Sequence, residues 1–213
     1  MASLETAGFV LAGGRSSRMG AEKALLRLRG EPLVAHALRT LRQAGLEAWI
    51  AGARAPLKEF APVVMDAEAD RGPLGGICAA LEATGAQRAV FVPVDLPLLP
   101  PPAVRLLLEE ARKAHAAVAV LAMEEFVQTF PAVVERAALP WLRAELAVGR
   151  GKCLEAFAAA AKAMERPMEV VSVERALQEG RLAGTQAAAR WFLNVNAPED
   201  MKKAEAWLLE GMR

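Results

Sequence analysis

Short apolar runs alternate with longer stretches of helical periodicity along most of this chain. The runs fall at 8–12, 48–51, 62–65, 89–93, 116–121 and 127–134. Each is short and nearly continuous in apolar residues, as expected of strands covered on both faces. Between or after them, helical patterns occupy 32–44, 74–83, 102–114, 138–147, 152–164 and 198–211. Pro32, Pro102 and Pro198 stand at the starts of three of these, where the missing amide of proline costs nothing. The alternation predicts an α/β architecture: a mostly parallel central sheet with helices on both faces, a three-layer α/β/α arrangement. Segment 177–184 reads as an irregular excursion. With no repeat, low-complexity tract or linker, residues 1–213 are expected to form a single domain.

Composition narrows the class. Hydrophobic residues make up 54% and charged residues 24%, enough to build a core and too apolar for disorder. The 26 basic and 25 acidic residues leave a net charge of +1, so no broad basic surface for nucleic acid is expected. The opening Met-Ala-Ser-Leu-Glu-Thr has no cationic stretch before its apolar run, and no apolar stretch is long enough to span a membrane. Cys78 and Cys153 form no CxxC pair, and two lone thiols fit a reducing compartment. A cytoplasmic protein is the expectation.

In sheets of this kind, ligands bind at the carboxyl ends of the strands, and four loops there carry candidate chemistry. The first follows the run 8–12: Gly13-Gly14, then Arg15, Arg18 and Lys23 within ten residues. Adjacent glycines expose backbone amides, and cations just beyond them suit phosphate groups. The spacing fits neither GxxxxGK[ST] nor GxGxxG, so this is a different phosphate device. A Gly-Gly pair alone marks a turn; the clustered cations carry the reading to phosphate, with Gly14 and its neighbours offering amides and Arg18 and Lys23 offering charge. The second loop reads Pro93-Val-Asp95-Leu-Pro97. A carboxylate held between prolines at a strand end suits Mg²⁺, which takes one or two carboxylates plus substrate phosphates. The plainer role for Asp95, a helix cap, is disfavoured because the next helix begins near Pro101 or Pro102.

The third loop, 66–76, contains Asp66, Gly72, Pro73, Gly75 and Gly76. Alone it is a flexible turn and helix start; next to the other loops, its glycines would let a planar base approach the backbone. The fourth, 192–200, places Asn194 and Asn196 just before a helix. Asn196 is either the N-cap of that helix or an oxygen ligand and substrate contact. Both readings stand.

These four segments, in this order, resemble the molybdenum cofactor guanylyltransferase family. The matching strings are LAGGRSSRMG with Lys23, RGPLGG, PVDLP and FLNVNAPED, spanning Leu11 to Asp200. The resemblance implies a Rossmann-like nucleotidyltransferase domain that joins GMP from GTP to molybdopterin and releases pyrophosphate. It further implies GTP contacts at Leu11, Ala12, Gly13 and Lys23, a nucleotide-contacting carboxylate at Asp66, and Mg²⁺ at Asp95. Asn194 and Asn196 resemble polar residues on the pterin and metal side, and proteins that deliver or receive the molybdenum cofactor are implied partners. The chain departs from the family in having Glu22 before Lys23, Ala51-Gly52-Ala53 where relatives carry an asparagine, and Val94 where many carry cysteine.

The implied reaction brings two polyanions together and puts charge on the departing pyrophosphate. Arg18, Lys23, loop amides and a metal on Asp95 suit that task, and no covalent nucleophile is needed. His36 and His115, in Ala- and Leu-rich helical surroundings, are not candidate catalysts. Two other readings compete: a nucleotidyltransferase of other specificity, such as a cytidylyltransferase, and a nucleotide-binding adaptor without turnover. Gly13 leans toward guanine, since the cytidylyl branch typically reads LAAG, and the Arg18, Lys23 and Asp95 set argues against a pure binder.

Overall fold

The computed structural model describes residues 5–12, 23–52, 55–65, 71–149, 152–183 and 185–210. In chain order the strands are β1 (Thr6–Leu11), β2 (Arg27–Leu28), β3 (Glu31–Pro32), β4 (Glu47–Ala51), β5 (Val63–Val64), β6 (Arg88–Pro93), β7 (Val118–Met123), β8 (Phe126–Glu135) and β9 (Met168–Ser172). The helices are α1 (Leu33–Gln43), α2 (Gly72–Ala83), α3 (Pro101–Lys113), α4 (Leu139–Ala147), α5 (Cys153–Ala163), α6 (Val173–Gln178) and α7 (Pro198–Glu210). Seven strands pair in the order β5-β4-β1-β6-β8-β7-β9, while β2 and β3 make a separate small hairpin.

The sheet is mostly parallel, as its apolar runs predict, with one reversal. Strand β8 runs antiparallel to both β6 and β7. Its cause is local: only Glu124 and Glu125 separate β7 from β8, both at positive φ (50° and 66°), the conformation of a tight hairpin turn. So short a connection returns the chain antiparallel.

Strand periodicity then splits the core into two layers. Val10, Ile50, Val90 and Val92 face α1, α3 and α6, and Trp191, Val195 and Ala204 from the C-terminal segment join them. Their neighbours Phe9, Leu11, Ala51, Ala89 and Phe91 point the other way, onto α2, α4 and α5. Phe9 and Phe91 stack on that second face with centroids 5.7 Å apart. Gly8 is what lets α1 lie close to β1: a Cβ there would come within 3.2 Å of both Leu41 methyl carbons.

Sequence pattern missed β9 and α6. The five residues of β9 sit at the sheet edge with only Val171 buried, so the strand lacks the continuous apolar signature of a central one. The irregular excursion expected over 177–184 is, in its first two residues, the end of α6, whose N-cap Ser172 accepts from the Arg175 amide. Among the described residues, no helix is long and apolar enough to cross a membrane.

Topology fixes where a ligand can enter. From β1 the chain crosses through α1 to β4 on one side, then returns to place β6 on the other side of β1. The loops after β1 and β6 therefore diverge at the carboxyl edge, the switch point at which α/β sheets open a crevice. Leu11 and Pro93 are register partners at that edge.

Candidate active site

Just past the ends of β1 and β6 the backbones stay locked together. The Val94 amide donates to the Leu11 carbonyl (3.1 Å), and the Ala12 amide donates to the Ala51 carbonyl (3.1 Å). These bonds carry the sheet one residue beyond its strands and leave Asp95 at the rim of the crevice. Asp95 does not cap α3, which begins at Pro101 with Pro100 at the N-cap position. On the other side of the crevice, Lys23 opens a 3-10 turn (Lys23–Leu25) that leads into the β2–β3 hairpin.

The side chains of these two residues meet. Lys23 Nζ lies 2.7 Å from Asp95 Oδ2, and it also donates to Asn196 Oδ1 at 2.5 Å. Exposure of the pair is low, 19% for Lys23 and 21% for Asp95, so water screens it less than a surface ion pair. The third member arrives from the far end of the chain: Asn196 is 173 positions beyond Lys23. Its loop is stitched to the second by a bond from the Val195 amide to the Asp95 carbonyl, 2.9 Å.

Asp95 Oδ1 is buried and has no hydrogen-bond partner among the described residues. An unpaired buried carboxylate oxygen is costly and uncommon outside functional sites. Here it sits beside a cation at a sheet switch point, and a carboxylate oxygen is a hard donor. Among the described residues no group of three His, Cys, Asp or Glu gathers to hold a metal. That donor set fits Mg²⁺ held by one carboxylate and completed by substrate phosphates, rather than a metal caged by protein.

The remaining expected residues fall as follows. Leu11 ends β1 with its side chain in the α2-facing core, and Ala12 follows it. Gly72 and Pro73 open α2, exposed, with Gly72 at φ +66°, a left-handed conformation that suits glycine; Gly75 is buried one turn in. This first turn lies over the same edge: a Cβ at Gly76 would be 3.7 Å from Leu11 Cδ2 and 3.8 Å from the Gly52 amide nitrogen. Gly13, Gly14, Arg18 and Asp66 lie outside the described residues.

Of the two asparagines, only Asn196 joins the cluster. Asn194 is exposed and donates to the Phe192 carbonyl within its own loop (3.3 Å). The helix-cap reading of Asn196 does not hold. The carboxylate that reaches back to the amides opening α7 is Asp200, which sequence reasoning left without a role; an acidic residue at the third helical position was the available signal.

His36 and the two cysteines lie in the core. His36 is buried, its Nδ1 accepting from Arg39 (2.8 Å) and its Nε2 donating to the Leu28 carbonyl (3.1 Å), so it ties α1 to the hairpin. Cys78 and Cys153 are buried and not joined in a disulfide, and burial, with Cys78 alongside, pushes the Cys153 thiol up to about 11.

A doubly covered, mostly parallel sheet with a lysine, an aspartate and an amide converging at its switch point is an α/β/α fold of the kind that binds nucleotides at its carboxyl edge. The sequence profile of the MobA-like NTP transferase domain matches residues 8–163. The molybdenum cofactor guanylyltransferase of Xanthomonas euvesicatoria is 36% identical over 199 residues, covering 92% of each chain. The chain therefore belongs to the molybdenum cofactor guanylyltransferase family. In structure it is similar to molybdopterin-guanine dinucleotide biosynthesis protein A from Archaeoglobus fulgidus, at TM-score 0.75 and 21% identity over 95% of this chain and 98% of that one. It also overlays the 2-C-methyl-D-erythritol 4-phosphate cytidylyltransferase of Thermus thermophilus, at TM-score 0.64 and 22% identity, covering 96% and 98%. The fold is thus shared with a cytidylyltransferase.

Proposed function

We propose that this chain transfers GMP from GTP to the terminal phosphate of molybdopterin in a Mg²⁺-dependent reaction. The observation that carries the reading is the convergence of Lys23, Asp95 and Asn196 at the switch point of a chain belonging to this family. A phosphate oxygen of the pterin attacks the α-phosphorus of GTP; the bond from that phosphorus to its β-bridging oxygen breaks, and pyrophosphate leaves with the charge. Lys23, in an almost enclosed position, supplies a compact cation to triphosphate oxygens and neutralises charge that grows during transfer. Asn196 orients the ammonium, and the amides beyond β1 and at the start of α2 hold the nucleotide in line. Mg²⁺, when bound through Asp95 Oδ1, supplies Lewis-acid polarisation of the phosphoryl oxygens. Arg18, Gly13, Gly14 and Asp66 are assigned to the nucleotide, and Asn194, exposed beside the cluster, to the pterin side. Two buried cysteines outside any disulfide support a reducing, cytoplasmic setting, in which other proteins supply molybdopterin and accept the product.

The test is product analysis after incubation with molybdopterin, Mg²⁺ and an equimolar mixture of GTP and CTP. The expected outcome is the guanine dinucleotide with one pyrophosphate released per product. A cytosine dinucleotide would overturn the base assignment, and nucleotide binding without any product would favour a non-catalytic carrier.

A further inference from the structure

The aspartate that opens α7 touches neither Lys23 nor Asp95, yet it holds the residue that does. Asp200 Oδ2 accepts from two consecutive amides, those of Asn196 and Ala197, both at 3.0 Å. One carboxylate oxygen therefore fixes the backbone of the residue whose side chain receives Lys23. The preceding residue is fixed independently, by the Val195 amide on the Asp95 carbonyl at 2.9 Å, and by its buried side chain in the α1-facing core. Asn196 is thus clamped from both sides. On one side is the loop that carries the reactive carboxylate, and on the other the first turn of α7.

Helix capping alone would not require this arrangement. The Asp at the third helical position satisfies amides that no helical carbonyl can reach, and that function could be carried out anywhere on the surface. Here the capped amide belongs to Asn196 itself, an exposed residue. Without the two bonds Asn196 is held from the Val195 side alone, and the placement of its Oδ1 at 2.5 Å from the ammonium loses one of its two supports. We infer that Asp200 is a positioning residue of the active site: it acts through Asn196 to hold the Lys23 ammonium where the triphosphate will meet it. This rests on the proposed reaction for its effect on turnover, while the ordering of Lys23 does not.

The experiment separates the two. In the full chain without substrate, NMR of the Lys23 ammonium and hydrogen exchange of the Asn196 and Ala197 amides are compared among wild type, Asp200→Ala and Asp200→Asn. The alanine variant is expected to lose the slowly exchanging ammonium signal and both protected amides, whereas the asparagine variant, which keeps an acceptor oxygen, retains them. Kinetics are then measured well below the unfolding temperature of every variant. Asp200→Ala is expected to lower kcat/KM for nucleotide roughly tenfold to a hundredfold. In an Asn196→Ala background it is expected to lower it no further, since the residue it positions is gone. The thermal cost of the lost cap persists in that background. An unchanged ammonium signal in Asp200→Ala, or undiminished kcat/KM despite lost amide protection, would reduce Asp200 to a cap and overturn the inference. A wild-type protein that orders Lys23 in this way but transfers no GMP refutes the proposed reaction instead.

Discussion

Strand β6 begins in one charged cluster and ends at another, and their carboxylates are partnered differently. At its first residue, Arg88 is the register partner of Glu135 at the end of β8. Glu135 is 12% exposed and has both oxygens engaged: Arg88 Nη2 and Arg166 Nη2 each lie 3.0 Å from Oε1, and Arg166 Nη1 donates to Oε2. Arg166 goes on to bind the His115 carbonyl through Nε at 2.9 Å. Two residues past the other end of the same strand, Asp95 is nearly as enclosed, yet among the described residues only one of its oxygens has a partner, and that partner is shared with Asn196. A carboxylate that serves the fold is saturated by its neighbours, because an unmet buried acceptor costs stability. On the proposed reading, the unpartnered Asp95 oxygen is the one that would meet the metal.

Breaking each cluster in turn tests the contrast, with the largest effect expected at Asp95. Asp95→Asn keeps the volume and removes the anion; Mg²⁺-dependent pyrophosphate release is expected to fall roughly a thousandfold, with little change in unfolding temperature. Full activity in this variant would remove the metal assignment. Lys23→Ala is expected to cost roughly a hundredfold in kcat/KM for GTP, measured by steady-state turnover; unaltered kinetics would deny the lysine its phosphate role. At the other end, Glu135→Ala strands Arg88 and Arg166 and is expected to destabilise the fold by about 3 kcal/mol while leaving turnover at 25 °C intact. Denaturant unfolding checks the first part. Loss of turnover without loss of stability would contradict the division of labour between the two ends of β6.

A third kind of ionisable group sharpens the comparison with a smaller effect. Cys153 is covered by apolar neighbours of α5, and burial holds its thiol near 11, against an ordinary 9.0. Because the folded pKa lies above the unfolded one, the folded state keeps its proton longer. Stability from this group is therefore complete below pH 9 and is lost as pH rises toward 11. Unfolding free energies measured across that window are expected to fall by up to about 2 kcal/mol more in the wild type than in Cys153→Ala. Parallel curves would mean that burial does not control the thiol.

Most of the fold was legible because burial on two faces leaves a mark on sequence. Strands β1, β4, β6, β7 and β8 and helices α1 to α5 and α7 correspond to apolar runs and helical periods. Illegible elements were those without that mark: β9 at the sheet edge, the six-residue α6 and the two-residue strands of the hairpin. The direction of β8 was also hidden, since it depends on a two-residue turn in which both positions are glutamates rather than the usual Asn-Gly. In the site, Lys23 and Asp95 stood out as a cation after a glycine loop and a carboxylate between prolines. Asn196 was ambiguous because an asparagine before a helix serves equally as cap or ligand, and Asp200 was missed because an acidic first turn is ordinary.

What the sequence determined by itself was the inventory: an alternating α/β pattern, the residue types proposed for a phosphate and metal site, and their place at strand ends. Periodicity and loop composition are local properties, and they survive in one dimension. Which of those residues touch was decided only by tertiary structure. Lys23, Asp95 and Asn196 are separated by 72 and 173 positions from the lysine, and nothing local specifies their meeting. It follows from the order of strands around β1, which opens the crevice, and from the bonds at Leu11, Asp95 and Asp200 that draw three loops across it.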